Sequence, residues 1–295
     1  MILLLMTIIG GANYTILKLA VPNYISPDAM VMTRLILGFI FFSICTIPDV
    51  SLKSIEKSDY KILFLSALFG VASNQFFFYH GMALTTPVNG SIFNLCMPIT
   101  ILILTIVLYK TKITPYALFG FGLALVGAIF LLDFSSFSMN ESTFVGDIMI
   151  LINSVSFGTY VVLIAPLSSK YNAFKISQII FGIGMLLYIP IGIDDLLMVA
   201  WHEFNITVWF VIAYVMIFTT FIVYYLNNLV PKIASTQIIG MYVYLQPVVA
   251  AIVAVIVRND TISIRSIICG LLIIGGIYLV QNEKIITDAF KIRRK

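Results

Sequence analysis

Charge is scarce in this 295-residue sequence: Asp, Glu, Lys and Arg make up 10% of it, where a soluble domain carries about 25%. Seventeen basic and thirteen acidic side chains cannot coat a globule of this size, which excludes an ordinary water-soluble fold and leaves lipid as the surroundings. Cysteine is nearly absent too. The three present, Cys45, Cys96 and Cys269, lie inside apolar runs and are odd in number, so neither a disulfide framework nor a metal knuckle is expected. With two histidines, His80 and His202, and no motif around either, the chain lacks the clustered acids, histidines or metal set of a polytopic membrane enzyme. No cofactor, no metal and no enzymatic activity are therefore expected. The net charge of +4 is small and falls mostly on one side of the expected membrane, which argues for topology and against a nucleic-acid partner. Met1 opens into an apolar run with no basic stretch before it and no clear cleavage site after it, so a removable signal peptide is not expected.

Apolar length is what the sequence has in abundance, at 61% hydrophobic residues. A hydrocarbon core about 30 Å thick needs roughly 20 such residues in a helix. Ten runs meet that need, at approximately 1–21, 27–48, 61–82, 87–108, 114–132, 145–165, 174–193, 206–228, 233–257 and 262–281. The expected fold class is all-α integral membrane, with ten transmembrane helices. Asp28, Lys61, Asp147, Lys175 and Arg265 fall within four residues of a span end and reach headgroups, which leaves Lys18 and Arg34 as the charges within the spans. No carboxylate is expected deep in any span, so a buried acid that alternates between proton and substrate is missing. With the N-terminus inside, thirteen basic residues occupy the inner loops and tail against Arg258 and Arg265 outside. That bias predicts a cytoplasmic (inner) membrane protein with both termini cytoplasmic.

Sliding the chain against itself by 149 positions brings Phe93 onto Tyr242, Pro98 onto Pro247, Ile113 onto Ile262, Thr114 onto Ser263 and Gly127 onto Gly276. At an offset of 146, Asn13 falls on Thr159 and Tyr14 on Tyr160. Identity is low, and the coincident loop lengths carry more weight than the identities. Two five-span repeats follow, 1–132 and 145–281, ahead of a basic cytoplasmic tail at 282–295. Five is odd, so the second repeat enters the membrane from the opposite side. Inverted repeats of this kind place a substrate site near the midplane and support alternating access.

These two halves, the stretch Gly10, Gly11, Ala12, Asn13, Tyr14 with Lys18 after it, and Arg34 early in the second span together resemble the EamA-type family of the drug/metabolite transporter superfamily. Gly10 stands where that family often has Trp, and Leu35 follows Arg34 where an aromatic is common. The resemblance implies a carrier. Export of amino acids or similar small metabolites is the expected activity, with a small-molecule substrate and the lipid bilayer as partners and a monomer or homodimer as the assembly. Transport of anionic phosphorylated or nucleotide-linked metabolites stays open as the alternative, with a channel or a membrane enzyme further behind.

Lys18, Arg34 and His80 all fall in the outer third of their spans. A cation at such depth must snorkel, pair or face a wet cavity. Arg34 can hold a carboxylate or phosphate through two parallel hydrogen bonds, with Lys18 adding a point charge. Equally, Lys18 can snorkel to headgroups while Arg34 ties helix ends through carbonyls or Asp28. His80 is a possible proton site or a packing residue. Neutral polar residues cluster in the third, fourth and ninth spans, among them Asn89, Ser91, Gln237 and Tyr244. Interhelical hydrogen bonds explain any one of them, and together they indicate a polar cavity. The candidate substrate-binding residues are Asn13, Tyr14, Lys18, Arg34, Asn74, Gln75, Tyr79, Asn94, Tyr160, Tyr242 and Gln246. Tyr14, Tyr160 and Tyr242 offer stacking faces on repeat-related helices, whereas aromatic runs such as Tyr224 and Tyr225 are expected mostly against lipid or other helices. Pro98 and Pro247, at matching places in the halves, serve as packing kinks or as a shared hinge. Gly120, Ala124 and Ala128 form a small-residue stripe for close helix contact, within the subunit or in a dimer.

Overall fold

A computed structural model describes residues 1–47, 55–131, 141–249 and 264–282. Every regular element among them is helical. Helix α1 (Ile2–Leu17) ends in a set of tight turns through Ile25. Helix α2 (Pro27–Thr46) starts where Ser26 accepts the Ala29 N–H and Pro27 presets the first turn. A 3₁₀ turn at Lys57–Asp59 leads into α3 (Tyr60–Ala67), which widens into a π-helical turn at Leu68–Ser73 and resumes as α4 (Asn74–Leu84). Helices α5 (Pro87–Asn94) and α6 (Cys96–Tyr109) form one rod interrupted at Leu95, just ahead of Pro98. Helix α7 is Pro115–Leu131, α8 Glu141–Lys170 and α9 Ala173–Leu197. Helix α10 (Ile206–Tyr214) passes through a second π-helical turn, Val215–Ile222, into α11 (Val223–Leu229). Helix α12 (Thr236–Met241) tightens to 3₁₀ at Tyr242–Leu245 and continues at 246–249. Helix α13 is Ile264–Gln281. Residues 250–257 of the ninth expected span, the tail from 283, Lys53 and Arg258 lie outside the described residues.

Six of these helical runs are long and apolar enough to cross a bilayer: Pro27–Thr46, Lys57–Leu84, Pro87–Tyr109, Thr143–Lys170, Ala173–Leu197 and Ile206–Lys232. Shorter apolar helices run over Ile2–Leu17, Pro115–Phe130 and Ile267–Gln281. Their outer faces expose Ile106, Phe119, Leu186, Phe210 and Leu271, a surface suited to lipid and not to water. The chain is a multi-pass membrane protein.

Two packed cores hold the helices. The larger joins α1 to α4 with α8 to α11, with α2 against α9 and α4 against α8. The smaller joins α6, α7, α12 and α13. Lipid offers no hydrophobic drive between helices, so close backbone contact through small residues supplies the attraction. On α7, Gly120, Ala124 and Ala128 meet α13: a Cβ on Gly120 would lie 2.7 Å from the Gly276 carbonyl oxygen, and both alanines are fully buried. The stripe is thus used within the subunit.

A second such contact joins α4 to α8 through Gly81 and Gly146, and it exposes an error in the expected depth of charges. Helix α8 begins at Glu141, ahead of the expected 145. Asp147 is therefore 1% exposed, packed under the α4–α5 corner, where Thr85 donates to its carboxylate and Asn89 Nδ2 donates to both oxygens at 3.1 and 3.0 Å. A carboxylate does lie buried in the bundle, held by neutral donors. The sequence pattern hid it because hydropathy marks where apolar residues begin, and a polar turn can extend a helix outward from there.

Glycine substitutions test this packing. A Cβ at Gly146 would meet the Gly81 oxygen, Leu84 Cβ and Thr85 N, each at 2.9 Å, whereas nothing lies within 4 Å of one at Gly122. Gly146→Val should lower the melting temperature of the detergent-solubilised protein, at a cost of about 1–3 kcal/mol. Gly122→Ala should leave it unchanged or raise it.

Candidate functional site

Between the two halves of the helix bundle lies a cavity of about 170 Å³. At ~10–15 Å³ of such space per water it has room for about a dozen waters or one small solute. On α1 its lining runs from Leu3 to Tyr14, so it occupies the middle of the bundle and the half nearer Met1. The opposite wall is set by α4, α8 and α11, with Asn74, Asn153 and Asn227.

Local helix defects put polar groups on this wall. The π-helical turn Val215–Ile222 breaks the regular i→i−4 ladder, and the Thr219 and Thr220 hydroxyls both turn back to the Val215 oxygen, at 2.9 and 2.8 Å. The Thr219 carbonyl and the Thr220 hydroxyl then receive Arg34 from α2: Nη2 to Thr219 O at 3.2 Å and Nε to Thr220 Oγ1 at 2.8 Å. Nη1 donates to Tyr79 Oη at 2.8 Å, and the guanidinium carbon sits 5.3 Å from the Tyr79 ring centre. Arg34 is 5% exposed and lines the cavity. Among the described residues no carboxylate lies within 4 Å of it. Its partners are neutral, its charge is uncompensated, and two of its five N–H groups remain for something in the cavity.

The other walls carry amides. Asn94 Nδ2 donates to Gln246 Oε1 at 3.3 Å, and Ser154 donates to Asn94 Oδ1 at 3.3 Å. Asn153 Nδ2 reaches the Asn74 carbonyl at 2.8 Å. Gly10 allows this arrangement, since a Cβ there would lie 2.9 Å from Gln246 Nε2. Asn13 lines the cavity, and its Oδ1 is buried with no partner among the described groups. Pro98 and Pro247 do not line the space, but Asn94 and Val243, the residues four before them whose carbonyls a proline cannot bond, both do.

Of the residues expected to bind substrate, Asn13, Tyr14, Arg34, Asn74, Asn94, Tyr242 and Gln246 line this one cavity. Tyr79 backs it through Arg34, and Gln75 through a 3.5 Å bond to the Tyr224 hydroxyl. Tyr160 lies behind the wall, its hydroxyl on Asn228 Oδ1 at 2.8 Å. Lys18 points elsewhere: its Nζ meets the Ala83 carbonyl at 3.4 Å. His80 is also outside, bound to Asp28. Asn153, Thr219, Tyr224 and Asn227 were not anticipated, and Tyr224 is 3% exposed against the cavity, not facing lipid. One signal pointed to it: the 149-residue offset carries Gln75 onto Tyr224 and Tyr79 onto Asn228.

Comparison with known proteins fits this geometry. The EamA-like transporter family matches residues 1–133 and again 144–281. The chain belongs to that family. An uncharacterized transporter of Bacillus subtilis, YyaM, is 23% identical over 92% of this chain and 89% of its own length. A second from that organism, YetK, is 22% identical over 80% of this chain and 72% of its own. An uncharacterized transporter of Archaeoglobus fulgidus is 22% identical over 93% and 95%. A crystal structure titled only as that of a protein shares the fold, with a TM-score of 0.71 at 16% identity over 93% of this chain and 97% of the other. This EamA-like protein is a transporter and not an enzyme.

Cysteine accessibility tests the cavity in this EamA-like chain. With Cys45, Cys96 and Cys269 replaced by Ala, a cysteine placed at Thr7 or Asn227 should react with a charged, water-soluble thiol reagent, because both line the cavity. One placed at Ile180, 0% exposed in the larger core, should not.

Proposed function

We propose that this EamA-like protein exports small carboxylate-bearing metabolites, amino acids or close derivatives, by alternating access across the cytoplasmic membrane. The observation that carries the substrate class is Arg34, a buried cation on the cavity wall with no carboxylate partner among the described residues. A substrate carboxylate supplies the missing charge through the remaining N–H groups. Lys18 is engaged at Ala83, so among the described residues the cavity offers one cation, which favours a single carboxylate over a phosphate. The faces of Tyr14, Phe157 and Tyr242 on the cavity wall suit an ammonium group without an acid to hold it.

Alternating access rests on reading the chain as ten spans in two inverted repeats, 1–132 and 145–281, before a cytoplasmic tail. Several features support it. The helix N-caps Ser26 and Asn172 stand 146 positions apart, and Thr86 and Ser235 stand 149 apart. The π-helical turn Leu68–Ser73 maps at 149 onto the inside of Val215–Ile222. Repeat mates also touch: α2 packs on α9, α7 on α13, and Gln75 on Tyr224. A two-fold axis in the membrane plane brings such mates together. With both termini cytoplasmic, the cavity near Met1 faces the cytoplasm, the loading side for an exporter. One subunit suffices, since the small-residue stripe of α7 is used by α13.

Release from proteoliposomes loaded with amino acids, nucleosides and sugar phosphates, read by mass spectrometry, tests the proposal. Selective, saturable loss of a few amino acids is expected. Arg34→Gln removes the charge and leaves two N–H donors where Arg34 uses three, and should slow that loss about 10- to 100-fold, the worth of a charge-assisted hydrogen bond of ~1.5–3 kcal/mol. Loss of sugar phosphates instead, or an unaltered rate in Arg34→Gln, would overturn it.

A further inference from the structure

His80 sits outside the cavity, yet its surroundings are built. Its Nδ1 lies 3.0 Å from the Phe76 carbonyl oxygen and its Nε2 3.1 Å from Asp28 Oδ2. A carbonyl oxygen and a carboxylate accept hydrogen bonds and donate none. A neutral imidazole has one N–H and can satisfy one of them, so with Asp28 ionised, acceptors at both nitrogens call for a proton on each. The second Asp28 oxygen is taken by the Tyr188 hydroxyl of α9 at 2.5 Å. The ring of Phe76 lies over the imidazole at 4.3 Å between centres, a face that favours a cation. The His80 and Asp28 side chains are 23% and 20% exposed, enough for water to deliver and remove the proton.

We infer that His80 and Asp28, seated on Tyr188, form a proton-binding site that couples transport to the proton gradient. The coupling rests on the carrier reading above, and it has a physical route. Helices α2 and α4 are joined by two side-chain links, Asp28 to His80 and Arg34 to Tyr79. His80 and Tyr79 are adjacent in sequence, and Asp28 and Arg34 are six residues apart on one helix, about 9 Å. A substrate carboxylate on the remaining Arg34 N–H groups takes up the charge that strengthens the bond to Tyr79, and loss of the His80 proton weakens the link to Asp28 by removing its charge. Both events loosen one helix pair, so solute and proton act on the same equilibrium and exchange for one another. The other ionisable groups facing the site are Asp195 of α9, held by Ser26 at 2.5 Å, and Tyr188 itself. Lys18 and Arg34 are engaged at Ala83 and at the cavity.

Two measurements test this. The chain has only two histidines, and His202 is exposed, so the full-length His202→Asn protein with ¹⁵N-labelled histidine in nanodiscs reports His80 alone. At neutral pH the ring should carry protons on both nitrogens, and Asp28→Asn should return it to one. A single ring proton in the Asp28 form, on either nitrogen, would overturn the site. This readout needs no solute, so it stands apart from any failure to find the transported compound. In proteoliposomes that release amino acids, a pH gradient should change the accumulation ratio by about tenfold per unit at one proton per solute. In His80→Gln, whatever flux remains should ignore the gradient. Flux in His80→Gln that follows the gradient as in the wild type would overturn the coupling.

Discussion

An arginine buried between neutral partners sets the terms for the rest of this structure. In hydrocarbon a charge with no counterion costs several kcal/mol unless polar groups or water surround it. Arg34 meets that requirement with a tyrosine hydroxyl, a threonine hydroxyl and a backbone carbonyl. The carbonyl and the threonine hydroxyl both belong to the π-helical turn between α10 and α11, so the irregular backbone and the buried cation sit together. Non-helical backbone at membrane depth survives only where protein or water satisfies it, and here it lines a cavity.

The remaining polar groups at the cavity follow from the same constraint. Asn74, Asn94, Asn153 and Gln246 bond one another or nearby carbonyls, which keeps the space polar without adding charge. Among the described residues no acid competes for Arg34, and the proposed carboxylate substrate rests on that feature. Away from the cavity the chain spends its polar residues on corners. Asp147 pins the α4–α5 corner to α8, while at the opposite end Lys170 and Tyr171 reach Asp59 at 3.1 and 2.7 Å. Glycine pairs bring the same helices into backbone contact. Corners tied by hydrogen bonds and rods joined by small residues make stiff pieces, the kind that the proposed alternating access needs.

Much of this was legible in sequence, for physical reasons that also mark where legibility ended. Apolar runs near 20 residues locate helices because a bilayer imposes their length, and Thr86–Pro87 or Ser26–Pro27 mark starts because cap and ring chemistry are local. The stripe on α7 was visible because small residues every four positions share a face. The depth of Asp147 was not visible, since it depends on where α8 begins beyond its apolar stretch. Lys18 and Arg34 look alike in sequence, as lone cations in apolar runs. What separates them is tertiary: one comes to rest on the Ala83 carbonyl, the other on a π-helical turn of a helix 185 residues away. Tyr224, expected against lipid or other helices, is not placed at the cavity by its sequence, because hydropathy does not say which face of an apolar helix points inward.

That last failure also explains what the repeat contributes. A helix that is apolar all round carries almost no moment to orient it, so residue-by-residue reading cannot rank its faces. A repeat supplies the missing orientation. If Gln75 faces the centre of the bundle, its mate at an offset of 149 must face it too, and that mate is Tyr224, whose hydroxyl Gln75 in fact meets. The same step takes Tyr79, partner of Arg34, to Asn228, which bonds Tyr160. Arg34 has Ile180 at the matching place 146 residues on, fully buried and apolar. In the proposed repeat the halves thus differ in charge at this place, and the anion proposed at Arg34 would load one half and not the other.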